Sequence, residues 1–360
     1  MPSLKEIKGR INSISSTLAI TSAMKMVAAA KLQKAQMAIQ NMLPYERRLY
    51  SMLVDLMGTM NISAAASEDG SVRGSGSAER GFDQSGDRLS LSNRHDLAGM
   101  DGAYSLMAQR QVRKVAIVAF ASNSSLCGAF NSNAIREATA VINEYRASGL
   151  RDSDIVVYSV GRKMAEAMRK LGFPSPADFT KMSDSPSYEA ASALAQELLD
   201  GFVSGRFDKV ELVYNHYKST SSQPTTRQTY LPLSLADATA DLQAGKITDS
   251  ASETDTNRVA EPVGAPVVRQ SSPTAEASDL IVEPSKEELI ATLLPKVIRL
   301  RIFTTLLDSA AAEHAARTVA MQLATDNGND LLQELTLEYN KGRQQKITSE
   351  ILDLVGGSLQ

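Results

Sequence analysis

The sequence is short of the residues that most often build an active site. It has one cysteine, Cys127, so an internal disulfide and a site built from several thiolates are both excluded. Its three histidines, His95, His216 and His314, are scattered, which argues against a histidine-built metal centre. Tryptophan is absent and aromatics make up 5%, so the rigid anchors of tight, static interfaces are scarce. No run of about 18 apolar residues occurs, and none is expected to span a membrane. The first ten residues lack the apolar core of a secretory leader and are not rich in Arg and Ser, so no targeting segment is expected there. Net charge is only -3, which makes no case for nucleic acid as a partner. Hydrophobic content of 43% is ordinary for a soluble protein, and 360 residues suggest roughly two domains at about 150 residues each.

Proline is sparse at both ends. Only Pro44 lies between Pro2 and Pro174, and only Pro295 after Pro284. Proline is excluded from helix interiors, so both ends can carry long helices. Leu4, Ile7, Ile11, Ile14, Leu18 and Thr21 recur at alternating steps of three and four, a seam that packs on a partner helix. Good helix formers continue the pattern to about Met60, with Pro44 either kinking the helix or absorbed at the loss of one hydrogen bond. At the other end Ser285 and Glu288 have the spacing of a capping box. A broken stripe follows: Ile298, Ile302, Leu306, Ala310, Val319, Leu323, Leu331, Leu335, Ile347, Ile351 and Leu354. Pro295 suggests a kink or a separate first piece, Gly328 and Gly342 are weak spots, and Gly356-Gly357 ends the helix. Helices of about 57 and about 70 residues reach ~85 and ~105 Å, and neither buries its stripe alone. The economical solution pairs them antiparallel, with the rest of the chain inserted at one end.

The middle alternates. Val115–Phe120, Asp154–Val160 and Val210–Tyr214 are short apolar runs, and Tyr230 and Leu231 close a fourth. Helical patterns lie between them at Asn133–Arg146, Arg162–Leu171 and Ser187–Phe202. Strands alternating with helices give a largely parallel sheet in a Rossmann-like α/β domain. The expected division is a coiled-coil helix at 1–60, a polar flexible insertion at 61–110, the α/β domain at 111–236, an acidic flexible insertion at 237–284 and a second coiled-coil helix at 285–360. The insertions are rich in Ser, Gly and Asp, and the second carries nine acids against three bases over 237–283.

Little in the sequence points to catalysis. The turn Ser122–Asn131 follows a strand and precedes a helix, where phosphate can be cradled, but it matches neither the dinucleotide fingerprint nor the P-loop. It reads as a tight turn with Asn131 or Ser132 as N-cap. Cys127 reads as a buried small residue; a nucleophile would want a nearby histidine. His216 reads as a loop or partly buried side chain. Residues 1–50 carry eight Lys or Arg against two acids, Glu6 and Glu46. That asymmetry is either a solvated face or a surface for an acidic partner. Ile20–Gln36 offers Ala and Met on nearly every face, either core filler or a shaft that sits in several similar sockets without sticking.

The segments "ITSAMKMVAAAKLQKAQ" (20–36), "SSLCGAFN" (124–131), "RTVAMQLATDNG" (317–328) and "LEYNKGRQQKITSEILDLVGG" (337–357) together resemble the gamma subunits of F-type ATP synthases. The resemblance implies a central-stalk rotor. Its coiled coil would turn inside the hexamer of alpha and beta subunits, and its α/β domain would sit at the foot against epsilon and the c-ring. It implies no catalytic residue, cofactor or metal on this chain. It also implies a peripheral place on the cytoplasmic face of a bacterial inner membrane, reached only through the complex. Carried over by motif, Met24 and Lys25 would lie near the beta subunit's lever, and Arg343, Gln344, Thr348 and Glu350 in the same region. Lys25, Lys31 and Lys34 are expected to face acidic groups on beta. Leu126, Cys127, Gly128 and Asn131 correspond to the foot loop, on the c-ring or epsilon side. Asn123, Ser124 and Ser125 depart from the family's usual acid, base and glycine, and Ser358 replaces an expected alanine after Gly357. Both polar segments are longer than in the common bacterial form. A paired-cysteine switch cannot exist with Cys127 alone. The competing readings are an α/β enzyme with helical extensions, which needs a small-molecule site, and a coiled-coil scaffold with other partners.

Overall fold

The structure, a computed structural model, describes residues 3–59, 106–233 and 286–357. In chain order it contains α1 (Leu4–Thr59), β1 (Val115–Phe120), α2 (Phe130–Ala147), β2 (Ile155–Val160), α3 (Arg162–Lys170), α4 (Thr180–Asp184), α5 (Tyr188–Val203), β3 (Lys209–Asn215), β4 (Thr225–Leu231) and α6 (Lys286–Gly357). The expected capping Ser285 and the acidic insertion lie outside the described residues, as does most of the first polar segment. That segment gives way before Arg110. Leu106 is already core, its carbonyl accepting from Leu233 N–H at 3.0 Å, and Arg110 donates to Phe202 O at 3.1 Å.

α1 and α6 are each unbroken, so Pro295 does not set off a separate first piece. A proline inside a helix costs about 3 kcal/mol or more. Tertiary packing offsets it, because Leu294, Val297, Ile298 and Leu300 are all buried around it. Pro44 is likewise absorbed within α1, on its exposed side.

The two helices run antiparallel along one seam. Tyr50 meets Arg301, with a hydrogen bond of 3.0 Å; Leu32 packs with Ala311 and Ala315; Thr21 Oγ1 accepts from Thr325 Oγ1 at 3.1 Å. Farther along, Leu18 meets Gly328 and Leu4 meets Gly342. The glycines expected to be weak spots are therefore points of close approach. Beyond Gly342, α6 continues without a partner from α1 for about 20 Å, given 1.5 Å per residue.

The sheet order is β2-β1-β3-β4, with β2, β1 and β3 parallel and β4 antiparallel on β3. β1 is buried at every position, as a central strand covered on both faces must be. Its Val115, Ile117 and Ala119 pack on α2 and α3 through Ala134, Ala138, Val141, Met164 and Met168. Its Ala116, Val118 and Phe120 pack on α5 and on α6 through Leu198, Phe202, Leu294, Ile298 and Ile302. The lower part of α6 is thus a layer of the α/β domain as well as half of the rod. It runs with the strands. Tyr230, beside the start of β3, donates to Ile298 O at 2.9 Å, whereas Tyr217, just past its end, donates its N–H to Asp308 at 2.9 Å. The carboxyl edge of the sheet therefore faces up the rod.

Candidate functional site

At that carboxyl edge β1 runs into the turn Ser122–Ala129. Ala121 N–H donates to Val160 O at 2.9 Å, and the buried Asn123 accepts from Arg162 N–H at 2.7 Å while donating to Thr180 O at 2.7 Å. Asn123 thereby satisfies an orphan N–H at the start of α3, which has no side-chain cap of its own. Gly161 makes this fit possible: with φ of +96°, a Cβ there would stand 2.0 Å from Ala121 O.

Asn131 is not an N-cap, contrary to the sequence reading. α2 begins at Phe130 after Ala129, with no capping side chain. The Asn131 carboxamide instead turns back into the turn. It accepts from Ser122 N–H at 3.0 Å and donates to Ser124 O at 3.2 Å and to Cys127 Sγ at 3.1 Å. Cys127 itself is 1% exposed, packed with Phe130 against Ala312 of α6. Between these anchors Leu126 is held at φ of +68°, a conformation leucine rarely adopts, with its side chain 55% exposed.

α6 lies across this turn. Gly128 stands 3.8 Å, measured from an ideal Cβ, from the Ala320 side chain, and Arg317 donates to Ser124 Oγ at 2.7 Å while pairing with Glu313 at 2.7 Å. Burial raises the Glu313 carboxyl above its ordinary value, with Arg317 and Lys31 opposing. His314 is held down to about 4, chiefly by burial and then by the positive charges of Arg317 and Lys31.

The seam fixes heights along the rod. With Thr21 against Thr325 and Leu18 against Gly328, Met24 and Lys25 stand opposite about Gln322 and Met321. The turn at Leu126–Gly128, which meets Ala320, is at nearly the same height. A collar results in which Met24, Met26, Val27, Leu126 and Leu323 are all exposed apolar side chains. The turn of Leu126, Cys127, Gly128 and Asn131 is on the carboxyl edge of the sheet, toward the rod's free end.

Arg343, Gln344, Thr348 and Glu350 belong to another level of the rod. They do not share a region with Met24 and Lys25. Gly342 already lies against Leu4, so they stand about 30–45 Å farther along. All four are exposed, with Thr348 Oγ1 donating to Gln344 O at 2.9 Å and Glu350 3.6 Å from Lys346. The stripe positions Leu323, Leu331, Ile347, Ile351 and Leu354 are exposed too, Leu354 at 74%. Lys34 is exposed and Lys25 half-buried, while Lys31 is exposed with its charge acting on Glu313 and His314.

Sequence reasoning missed the turn after β3. His216 Nδ1 lies 2.6 Å from one Asp308 oxygen and Tyr217 N–H donates to the other at 2.9 Å. Tyr217 Oη accepts from Gln36 Nε2 of α1 at 2.5 Å. The available signal was Asp308 itself, an acid within an otherwise apolar and small run of α6. Among the described residues no three His, Cys, Asp or Glu side chains gather to hold a metal ion, and no helix is long and apolar enough to cross a membrane.

A family model described as ATP synthase matches residues 3–359. The ATP synthase gamma chain of Phocaeicola vulgatus is 46% identical over 359 residues, covering 100% of both chains. That of Bacteroides thetaiotaomicron is 44% identical over 360 residues, again covering 100% of both. That of Flavobacterium johnsoniae is 36% identical, with 99% of this chain and 98% of the other covered. Among solved structures, the fold is similar to a chain in the OSCP/F1/c-ring structure of Euglena gracilis mitochondrial ATP synthase. The TM-score is 0.52 at 17% identity, and the match covers 99% of this chain and 93% of that one.

Proposed function

Because this chain belongs to the ATP synthase gamma-chain family, we infer that it is the central-stalk rotor subunit of an F-type ATP synthase. It couples ion flow through the membrane c-ring to ATP synthesis and hydrolysis in the alpha/beta hexamer. Catalysis belongs to the neighbouring subunits, and this chain reaches the membrane only through the complex.

One observation carries the reading. A long two-helix rod grows out of an α/β domain and presents its apolar side chains outward in the collar and at its free end, where a self-contained protein would bury them. Side chains of this kind, Met, Leu, Val and Ile without Trp, make adaptable contacts that can be exchanged between equivalent sockets. A rotor shifts a neighbour's equilibrium only by binding its states unequally. An asymmetric collar, with the Leu126 turn on one side of the rod, touches three equivalent subunits differently at once. Met24, Lys25 and the Leu126 turn form the level that meets the beta subunits. Lys25, Lys31 and Lys34 put positive charge beside it. Arg343, Gln344, Thr348 and Glu350 enter deeper into the hexamer with the free end of α6. Epsilon and the c-ring take the opposite end of the α/β domain.

The test is assembly. Co-expressed with the alpha, beta and epsilon subunits of its source, the chain is expected to purify as one copy beside three alphas and three betas. Hydrolysis by that assembly is expected to turn a bead attached to the α/β domain. A chain that stays alone, or binds other proteins instead, overturns the reading.

A further inference from the structure

In an open α/β sheet, ligands bind in the crevice at the carboxyl ends of the strands, where successive crossovers leave a strand to opposite sides. Here that point lies between β1 and β3, because the chain leaves β1 for β2 on one side and then crosses to β3 on the other. The crevice is already filled, and the filler is the rod. Asp308, Ala312, Ala316 and Ala320 form one row of α6 at spacing four, the ridge that a helix sets into a groove. The alanines let it sit deep. Ala312 is fully buried against Cys127 and Phe130, Ala316 packs beside it, and Ala320 reaches Gly128.

The row's one charged member closes the crevice. Asp308 spends both oxygens on the turn after β3, one on His216 Nδ1 and one on Tyr217 N–H. The same turn reaches the other helix through Tyr217, which takes the Gln36 hydrogen bond and packs beside Leu32, Ala35 and Ile39. From the far wall Arg317 ties Ser124. We propose that the ligand crevice of this α/β domain has become a second grip, above the core that α6 already shares with the sheet, by which domain and rod turn as one body, and that Asp308 is its positioning residue. The proposal rests on the rotor reading and adds a second place, beyond the shared core, where torque passes between the two parts of the chain. Asp308 touches no substrate; it acts by holding His216 and Tyr217 against both helices.

Cys127, the only thiol, reports on the crevice, because it is buried under Ala312 and reacts only when α6 lifts away. The experiment measures labelling of Cys127 by N-ethylmaleimide in the full chain, and coupled ATP synthesis against ATP hydrolysis in the assembled complex. Asp308→Ala is expected to speed labelling about tenfold, as loss of hydrogen bonds to a charged group implies. It is also expected to lower ATP synthesis more than hydrolysis. Asp308→Asn keeps the shape and the acceptor for Tyr217 N–H, so it covers the case in which the alanine variant does not fold. The imidazole faces Asp308 from α6 and Lys218 from its own turn. The asparagine variant should therefore label several times faster than the unaltered chain at pH 6, and at a similar rate at pH 9, where the imidazole is neutral in both. Labelling rates indifferent to both substitutions overturn the grip. An unaltered chain that fails to join the alpha and beta subunits overturns the rotor reading instead and leaves the labelling result standing.

Discussion

Leu18 of α1 lies directly over Gly328 of α6: a Cβ built on the glycine would stand 2.6 Å from one Leu18 methyl and 3.1 Å from its branch carbon. Glycine inside a helix costs about 1 kcal/mol relative to alanine, so the close approach of the two backbones is what the residue provides. Gly328→Leu should force the helices apart and lower stability by about 1–3 kcal/mol, the usual cost of overpacking. Adding Leu18→Ala should recover most of it, since the intruding side chain then finds the vacated space. Gly342→Ala is the milder comparison, because its nearest neighbour is a Leu4 methyl at 3.1 Å near the helix end. Thermal unfolding of the three variants and the double mutant checks the pairing. A Leu18→Ala background that leaves the Gly328→Leu penalty unchanged would show that the register is wrong.

Glu211 of β3 is the one carboxylate within the four strands, 1% exposed, and three side chains surround it. Arg227 donates through Nε at 2.7 Å and Nη2 at 3.1 Å, Tyr145 Oη donates at 2.6 Å, and Lys209 Nζ stands 2.6 Å away. Burial alone would raise its pKa, but Arg227, Lys209 and Tyr145 together bring it below the ordinary glutamate value. Glu211→Ala strands two cations and should cost about 3 kcal/mol, the low end for breaking a buried pair because Arg227 keeps partial solvent and Glu144. Tyr145→Phe removes one hydrogen bond and should cost about 1 kcal/mol. A depressed acid stabilises above its unfolded pKa and loses that contribution as pH falls through the folded value. The gap between the unaltered chain and Glu211→Gln should therefore narrow below about pH 4.5 in denaturant titrations.

The parts legible in the sequence are those in which one segment's own pattern decides the outcome. Val115–Phe120 is six apolar residues in a row, and the strand has those bounds. The alternating seam from Leu4 to Thr21 faces α6 because no other face of α1 is apolar at that spacing. α4 escaped notice because it has five residues, Thr180–Asp184, with Pro174, Pro176 and Pro186 nearby. The collar was illegible for a different reason. Nothing in Ser122–Asn131 states which turn of α6 it will meet, and the height of Leu126 beside Met24 follows only from Gly128 meeting Ala320 and Thr21 meeting Thr325. The apolar stripe of α6 could not reveal that Ile347, Ile351 and Leu354 lie past the end of α1, because helix length and helix register are separate facts.

The three lysines of α1 should separate on substitution. Lys31 acts on the buried Glu313, so Lys31→Glu places a like charge beside a carboxylate already raised by burial. A loss of about 1 kcal/mol, or a drop of 2–4 °C in Tm, is expected. Lys34→Glu alters an exposed position and should stay within about 0.5 kcal/mol, with the half-buried Lys25→Glu falling between the other two. In the assembled complex all three together should weaken coupled ATP synthesis and hydrolysis. If thermal scans show the three single variants to be alike, and activity is untouched by the triple reversal, their proposed positions beside beta carry no energetic weight.

His314 is the group whose titration the rod should feel most. Its imidazole is half-buried among Glu313, Arg317 and Lys31, with Nδ1 lacking a hydrogen-bond partner, and its pKa is lowered to about 4, first by burial and then by the two cations. A histidine depressed in the folded state binds its proton more readily when unfolded. Its contribution is therefore complete above about pH 6.5 and is lost as pH falls toward 4. Glu313 beside it is shifted upward, so acidification relieves its burial and the two groups oppose each other in the unaltered chain. The difference between the unaltered chain and His314→Leu isolates the histidine. Leucine keeps the packing and removes the titration, so its Tm should hold up better than that of the unaltered chain between pH 6.5 and 4. Above pH 7, where the imidazole is neutral in both states, the difference between the two should be independent of pH. Parallel Tm curves across the whole range would mean that solvent reaches the imidazole and that its surroundings beside Arg317 and Lys31 are more open than their packing indicates.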